Sequence, residues 1–317
     1  MSNQSRVNGF LLLGFSEMQE LQIFHIIFFV TVYLVAFIEN LLIITVIIYS
    51  HQLHTPMYFF LANLSLQDFG SISVTVPKSI ANSLMKTQAI SYSGCVCQVF
   101  FLVFFMVSHF IILGVMAYDR YVAICNPLHY ETVMNKKACI QMASSAWIGG
   151  LFYSAMHTGT TFTVEFCSNV INQFFCEIPQ LLKISCFDSY INEVRVLILG
   201  SCFGFVYFFL IAFSYVQIFR AVLRIPSSQG KQKVFSTCLP HFIVLSLFMV
   251  SGMFVYLKPT SGSPSAFDIL VSMFYCMVPP IMNPVIYSIR NRELKIAFWK
   301  LLVNIYPQFL GKTHSSF

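Results

Sequence analysis

The sequence predicts an all-α membrane protein, a bundle of seven transmembrane helices followed by a short amphipathic C-terminal helix. Composition is the first observation, because the 317 residues are 57% hydrophobic and only 9% charged, whereas soluble domains are about 25% charged. The second is that the apolar residues are gathered into seven runs, each reaching the roughly 20 residues needed to span a bilayer. The chain cannot cover a water-facing surface, so lipid must be its solvent over most of its length.

The seven runs divide the chain into three parts. Residues 1–22 form an N-terminal tail, residues 23–289 the seven-helix domain, and residues 290–317 an amphipathic helix and tail. The third run is long and predicts a tilted helix. Gly, Pro and Ser in the last three runs are compatible with helices whose neighbours satisfy the freed backbone groups. The runs lie near residues 23–49, 57–85, 94–124, 138–161, 194–223, 234–257 and 267–289.

The basic residues predict the orientation. Most of the 18 Lys and Arg residues fall between or after the spans on one side, which is the cytoplasmic side by the positive-inside rule. The N-terminus is then extracellular and the C-terminus cytoplasmic, in a plasma-membrane protein whose first span acts as an uncleaved signal anchor. Asn3 begins an Asn-X-Ser glycosylation acceptor in the outer tail. The net charge of +6 is therefore a topology signal, and we expect no nucleic-acid partner.

Five of the ten cysteines lie at the predicted outer face, which is oxidising. Three of them fall in the loop between the fourth and fifth spans, and a loop of about 30 residues needs to be held in place. We predict the disulfides Cys95–Cys176 and Cys167–Cys186, with Cys97 left in the helix. The cysteine spacing does not by itself decide this connectivity.

An acid and a base, Asp119 and Arg120, stand side by side where the third apolar run ends. Charges are costly in a membrane helix, so a pair at its end suggests function. The carboxylate can hold the arginine until something larger competes for it, which is the chemistry of a switch. The alternative is an interfacial pair that only marks the end of the helix.

Four motifs stand at the ends of the predicted spans: PMYFFLANLSLQD at residues 56–68, MAYDRYVAIC at 116–125, KVFSTCLPHF at 233–242 and PPIMNPVIYSIRN at 279–291. Together they resemble the signatures of the olfactory (odorant) receptors, a family of rhodopsin-like, class A G-protein-coupled receptors. The resemblance covers almost the whole chain. It implies a receptor, not an enzyme, that binds a small-molecule odorant and activates a heterotrimeric G protein of the stimulatory, olfactory type to raise cyclic AMP.

The same resemblance implies an activation switch at the inner end of the bundle. Its arginine would be held by the neighbouring carboxylate at rest and would rearrange when the G protein docks. Pro284 kinks the seventh helix, so that Tyr287 can move and meet Tyr215 in the active state. Without the motifs, these two tyrosines would be assigned to an interfacial aromatic belt. The switch residues are Asp119, Arg120, Tyr121, Tyr215, Asn283, Pro284 and Tyr287.

A lone carboxylate, Asp68, lies in the middle of the second span and should find a partner inside the bundle. The resemblance points to Asn40 and Asn283 as its polar neighbours, and to a sodium site there in many relatives. His109 stands where the family usually has glutamate, and our hypothesis is that it replaces the cation by pairing with Asp68. The alternative is a neutral histidine with a backbone or hydroxyl partner. Glu39, where the family usually has glycine, is costly unless it too reaches an interior partner.

In the related receptors the ligand lies in the outer half of the bundle, between the third, fifth, sixth and seventh helices. The matching residues here are mostly apolar, which suits a small, uncharged, hydrophobic ligand. Each of them could instead be ordinary core packing. The candidate ligand-binding residues are Leu102, Val103, Met106, Val107, Leu199, Phe203, Gly252, Met253, Tyr256 and Cys276.

Two further patterns concern partners. Residues 291–306 repeat apolar side chains at helical spacing among basic ones, which predicts a helix lying on the anionic inner leaflet, with membrane lipid as a partner. A seven-span transporter or channel is the alternative class, but the two halves show no internal repeat and few ionisable residues lie in the spans. We expect no cofactor and no metal, because the histidine pair at residues 51–54 has no further ligands beside it.

Overall fold

The computed structural model of the chain describes residues 8–13, 19–186, 191–224, 227–257, 266–290 and 292–313. Within these ranges seven long helices coincide with the seven apolar runs, and the predicted seven-helix bundle is confirmed. Two short helices, α4 and α6, lie in loops, and α10 follows the bundle. The helices are α1 Gln19–Tyr49, α2 Pro56–Met85, α3 Tyr92–Cys125, α4 Tyr130–Val133, α5 Lys136–Phe162, α6 Ile178–Lys183, α7 Ile191–Leu223, α8 Ser228–Leu257, α9 Ala266–Arg290 and α10 Arg292–Thr313.

The long helices are not equally apolar. In the described part of the chain, four stretches are long and apolar enough to cross a membrane, namely Glu20–Tyr49, Tyr92–Cys125, Gly200–Leu223 and Ile269–Tyr287. Helices α2 and α5 are comparably long, at 30 and 27 residues, but carry more polar side chains. In α2 three of these polar side chains, Gln67, Asp68 and Asn82, are buried. The polarity of α2 therefore reflects what it contributes to the interior of the bundle.

Helix α3 lies at the centre, in contact with α2, α5, α7 and α8. Helices α1, α2 and α9 pack against one another, α8 packs on α9, and α10 contacts α1 and α9. Buried apolar side chains form two clusters. We call the one that contains Met116 and Tyr215 the inner cluster, and the one that contains Phe10 and Phe175 the outer cluster.

A small sheet, which the sequence patterns do not predict, covers the outer cluster. Strand β1 (Gly9–Leu12) pairs antiparallel with β2 (Ala89–Ser91) and parallel with β3 (Val170–Ile171). Phe10 and Leu12 on β1 are fully buried, so this part of the N-terminal tail packs on the bundle. Gly9 is required where the strands meet, because a Cβ there would lie 2.7 Å from the carbonyl oxygen of Ile90.

The loop between α5 and α7 is fixed at this same end. The structure contains the disulfides Cys95–Cys176 and Cys167–Cys186, while Cys97 is an exposed free thiol. Gln98 on α3 accepts the backbone N–H of Cys176 at 2.8 Å and donates to the carbonyl of Val74 on α2 at 3.1 Å. The loop is thereby attached to two helices close to the Cys95–Cys176 disulfide.

The close packing of α3 on α5 depends on Gly150. A Cβ on Gly150 would lie 2.0 Å from the hydroxyl oxygen of Ser108 and 2.9 Å from the carbonyl oxygen of Phe104. We expect Gly150→Ala to push the two helices apart and to lower the stability by about 1–3 kcal/mol. The thermal unfolding midpoint of the detergent-solubilised protein measures this.

The matched control is Gly159→Ala on the same helix, where a Cβ would meet nothing within 4 Å. Alanine favours a helix over glycine by roughly 0.5–1 kcal/mol, so this variant should unfold no earlier than the wild type. Equal unfolding temperatures for the two variants would contradict the packing argument.

Candidate functional site

The charged pair at the inner end of α3 is an ion pair. Arg120 Nη2 lies 3.0 Å from Asp119 Oδ2, with the Asp119 side chain fully buried and that of Arg120 14% exposed. Tyr130, which begins α4, donates its hydroxyl to Asp119 Oδ1 at 2.7 Å. Burial, and then the charge of Asp119, raise the pKa of the Tyr130 phenol, so it stays protonated as a donor. The carboxylate is therefore held from two sides.

A second contact crosses the inner end of the bundle from α7 to α8. Tyr215 and His241 are both buried, and the Tyr215 hydroxyl is hydrogen bonded to His241 Nδ1. Sequence reasoning placed Tyr215 opposite Tyr287 in the active state. In this structure Tyr215 contacts His241 instead, and the buried Tyr287 hydroxyl has no hydrogen-bond partner among the described residues. His241 was missed, although a histidine in an apolar run is itself a signal of function.

The middle of the bundle holds a polar cluster formed by α2, α3 and α9. Asp68 Oδ1 lies 3.4 Å from His109 Nδ1, and Asp68 Oδ2 accepts a hydrogen bond from Asn283 Nδ2 at 2.8 Å. Asn283 Nδ2 is also 3.5 Å from His109 Nε2. All three residues are buried. The ring of His109 stacks on Phe248 of α8 with 5.3 Å between the ring centroids, so a fourth helix contacts the cluster.

Asn40, expected as a polar neighbour of Asp68, makes its hydrogen bonds with other residues. Its amide donates to the carbonyl oxygens of Ala36 at 2.8 Å and Pro280 at 2.9 Å. The reason lies in α9, where Pro284 has no N–H to offer the carbonyl of Pro280 one turn earlier. Asn40 supplies that missing donor from α1, and so holds α1 against the proline-containing segment of α9.

A small cavity adjoins the polar cluster on its outer side. Its volume is ≈ 20 Å³, about the space that one water needs. Three of the predicted ligand-binding residues, Leu102, Met106 and Cys276, line it together with Asp68 and His109. The cavity lies between α2, α3, α8 and α9. The remaining lining residues are Gln67, Ser71, Phe105, Phe248, Pro279 and Pro280.

The other predicted ligand-binding residues have different positions. Val103 packs against the outer cluster, and Val107 and Gly252 are half-buried. Phe203 is 68% exposed on α7, so its assignment to an interior pocket is wrong. It lies on an apolar helix surface that suits lipid, and an apolar run cannot show which of its side chains point inward. The side chains of Leu199, Met253 and Tyr256, and the glycosylation acceptor Asn3, lie outside the described residues.

A buried carboxylate above the cavity was not predicted. Glu177 directly follows Cys176 in the loop between α5 and α7, and only 4% of it is exposed. Ser272 on α9 donates to Glu177 Oε1 at 2.8 Å and accepts from Gln173 Nε2 at 3.1 Å. Ser272 lies one helical turn before Cys276. The loop therefore brings hydrogen-bonding groups to the outer end of the bundle, directly above a residue that lines the cavity.

Glu39 and α10 border a separate groove. Among the described residues Glu39 Oε2 has no hydrogen-bond partner, and Glu39 lines an apolar groove of ≈ 320 Å³ between α1, α9 and α10, together with Lys295 and Phe298. On α10, Leu294 and Ala297 are buried while Lys295 and Lys300 are exposed, which makes the helix amphipathic. Glu293 accepts a hydrogen bond from Tyr58 of α2 at 2.9 Å, fixing the start of α10 to the bundle.

Comparison with known proteins gives consistent results. The family model described as olfactory receptor matches residues 29–305. Olfactory receptor 14A16 of Homo sapiens is 46% identical over 303 residues, which is 95% of this chain and 98% of that protein. Olfactory receptor 14I1 of Homo sapiens is 48% identical over 98% of this chain and 100% of its own length. The solved structure of squid rhodopsin superposes with a TM-score of 0.72 at 16% identity, over 94% of this chain and 84% of that one, and supports the fold alone.

Proposed function

This chain belongs to the olfactory receptor family, and from that membership we propose that it binds small, mostly apolar odorants in the outer half of its bundle and activates a stimulatory, olfactory-type G protein. Membership makes the protein a multi-pass plasma-membrane receptor that senses odorants and signals through a G protein, and not an enzyme. The proposal concerns where the ligand binds, how the signal crosses the bundle and which G protein receives it.

The cavity beside the polar cluster supports the position of the ligand. Its outer walls are the apolar side chains of Leu102, Met106 and Cys276, and Ser272 and Glu177 lie above it. An apolar site with a few polar groups is what a small, weakly polar ligand requires. A cavity of ≈ 20 Å³ does not hold an odorant. For an odorant to bind beside the polar cluster, α3, α8 or α9 would have to move and enlarge this space.

The contacts at the inner end of the bundle support the proposed activation of a G protein. Arg120 forms an ion pair with Asp119, and Asp119 also accepts a hydrogen bond from Tyr130. Next to this pair, the hydrogen bond between Tyr215 and His241 joins α7 to α8. A G-protein segment that enters between these helices would compete with Asp119 for the guanidinium group. Movement of α9, which carries Asn283, Pro284 and Tyr287, would reach the same region from the polar cluster. Tyr215 would then exchange His241 for Tyr287.

The distribution of charged and covalent features supports the orientation. Both disulfides and the small sheet lie at the end of the bundle opposite Arg120. The basic helix α10 lies at the same end as Arg120, where its exposed Lys295 and Lys300 can meet anionic lipid. We therefore place the N-terminus outside the cell and the C-terminus in the cytoplasm.

The experiment that tests the function is a cyclic-AMP reporter assay in cells that express the full chain and are exposed to a panel of odorants. We expect an odorant-dependent rise that disappears in cells lacking the stimulatory α subunit. The variant Arg120→Ala, compared at equal surface expression, should also lose the response. Odorant-dependent flux that persists without the G protein would instead indicate a transporter or channel.

A pair of substitutions tests the ligand position. Met106→Ala removes side-chain contacts at the cavity and should weaken the potency of an active odorant about tenfold, the scale expected for lost contacts in a hydrophobic pocket. Phe203→Ala removes an apolar side chain that faces away from the bundle, and should leave the potency unchanged. Dose–response curves at matched surface expression measure both. An unchanged potency in Met106→Ala would place the ligand elsewhere.

The Asp68–His109 pair makes a prediction about sodium. With an imidazole in place of a second carboxylate, the cluster offers little for a cation, so exchanging external sodium for choline should not shift the odorant response of the wild type. His109→Glu restores a second carboxylate and should make the response sodium-dependent. If sodium shifts the response of the wild type and not that of His109→Glu, the histidine does not replace the cation.

A further inference from the structure

Glu39 on α1 is a carboxylate that the described part of the chain leaves without a counter-charge. Its side chain is half-buried, and its Oε2 atom is enclosed yet has no hydrogen-bond partner among the described residues. The ion pairs within those residues join Asp68 to His109 and Asp119 to Arg120, so neither involves Glu39. A charge held away from bulk water needs a partner. The carboxylate therefore indicates that a group outside the polypeptide binds beside it.

The apolar groove between α1, α9 and α10 gives such a group a place to bind. Its volume of ≈ 320 Å³ is at the small end of the roughly 300–1,000 Å³ that is typical of ligand pockets. Along α1 the groove runs from Glu39 to Val46, which is about 10 Å. Its size and lining suit a small apolar molecule with one polar end. The other lining residues are Leu42, Ile43, Pro284, Val285, Leu294, Lys295 and Phe298.

The two charged residues of the groove lie at its opposite ends and set the polarity of the occupant. Lys295 is exposed on α10, whereas Glu39 lies about 10 Å further along α1 than Val46, which packs in the inner cluster with α10. An ionised carboxylate only accepts hydrogen bonds, so its partner must donate. An ammonium group donates and also supplies the opposite charge, whereas a hydroxyl group only donates. The groove therefore matches one ammonium beside Glu39 and an apolar body that extends towards α10.

We propose that this groove is a second ligand site, which takes a small lipophilic monoamine that enters from the membrane. The ammonium pairs with Glu39, and the apolar body lies along Val46 and against Phe298. A diamine fits less well, because its second cation would meet Lys295. A fatty acid fits less well too, because pairing its carboxylate with Lys295 would leave its apolar tail against the charge of Glu39.

The site is connected to the part of α9 that the proposed activation uses. Pro284 lines the groove, and the preceding residue, Asn283, donates to Asp68. The groove is present in a structure in which Arg120 is paired with Asp119. Since a ligand favours the conformation that it binds, an occupied groove should hold α9 in this arrangement and oppose the odorant. This consequence rests on the proposed function, whereas the binding of the amine does not.

Photolabelling of the intact, purified receptor in lipid discs tests the binding site. The probe is a straight-chain primary amine about 10 Å long, the length of the groove, with a diazirine at the end opposite its nitrogen. The control is the alcohol with the same chain and diazirine. We expect the amine to label α10 within residues 294–298, and the alcohol to need about ten times the concentration or more, which is the scale of a hydrogen bond to a charged group. Equal labelling by the two probes, or no label in that segment, would overturn the proposal.

Two substitutions test the charge. Glu39→Gln keeps the shape and an acceptor but removes the charge, and should raise the half-saturating concentration of the amine about tenfold or more. Glu39→Asp keeps the charge one methylene shorter and should retain most of the binding. Removing an unpaired charge from a membrane helix is favourable, so Glu39→Gln should fold at least as well as the wild type. Unchanged labelling of Glu39→Gln by the amine would show that the carboxylate does not bind it.

A second pair of substitutions tests the groove itself. Leu42 lines it, whereas the neighbouring Leu41 is 46% exposed and is not a lining residue. Leu42→Trp should fill the groove and abolish the labelling, and Leu41→Trp should leave it unchanged. Equal labelling of the two variants would mean that the amine binds to the lipid-facing surface of α1, contrary to the proposal. If Leu42→Trp does not fold, the comparison of amine with alcohol still decides the claim.

A signalling measurement separates this site from the proposed function. In the cyclic-AMP assay, the amine should lower the potency of an active odorant on the wild type and have no effect on Glu39→Gln at matched surface expression. A receptor that is labelled as expected but gives no odorant response supports the site and counts against the proposed function. An odorant response without labelling of α10 counts against the site alone.

Discussion

A carboxylate buried in the middle of a membrane protein is not solvated by bulk water, so it needs partners within the protein. The arrangement of this bundle depends on the partners of Asp68. Its partners are His109 on α3 and Asn283 on α9, so three helices converge on one group. Burying an ionisable side chain is tolerated when its partners are fixed in place. The central position of α3 and the contact of α2 with α9 provide that fixed geometry.

Backbone groups buried in the membrane also need hydrogen-bond partners. Features that are local in the chain could be predicted from the sequence, whereas partners on a different helix could not. The seven helices could be predicted because each apolar run in the sequence is long enough to span a bilayer. The Asp119–Arg120 pair could be located because it is local in the chain. The partner of Asn40 could not, because it depends on a carbonyl that Pro284 leaves without a donor on a different helix. Strand β1 escaped prediction for a similar reason, since both of its partners are distant in sequence.

The sequence also could not predict which side chains of an apolar run face the interior of the bundle. Leu102 and Phe203 are both apolar residues in long apolar runs, yet one lines the cavity and the other is exposed. Hydrophobicity does not distinguish a lipid-facing side chain from a bundle-facing one, because lipid and core are equally apolar. Polar residues in the spans were better guides, since Asp68, His109 and Asn283 did come together. His241 and Gln67 are also polar residues within the spans, and both are buried. A polar residue in an apolar run is therefore a better guide to the interior than an apolar one.

The contact between Asn40 and Pro280 also bears on how this protein can change over generations. The two residues are 240 positions apart, yet the amide of one compensates for a proline located one turn beyond the other. Replacing Asn40 alone leaves the Pro280 carbonyl without this donor, whereas replacing Pro284 as well gives that carbonyl a backbone N–H in its place. The loss of Asn40 should therefore be less damaging in a chain that also lacks Pro284. In genetic terms, the effect of one site is expected to depend on the other, which is epistasis.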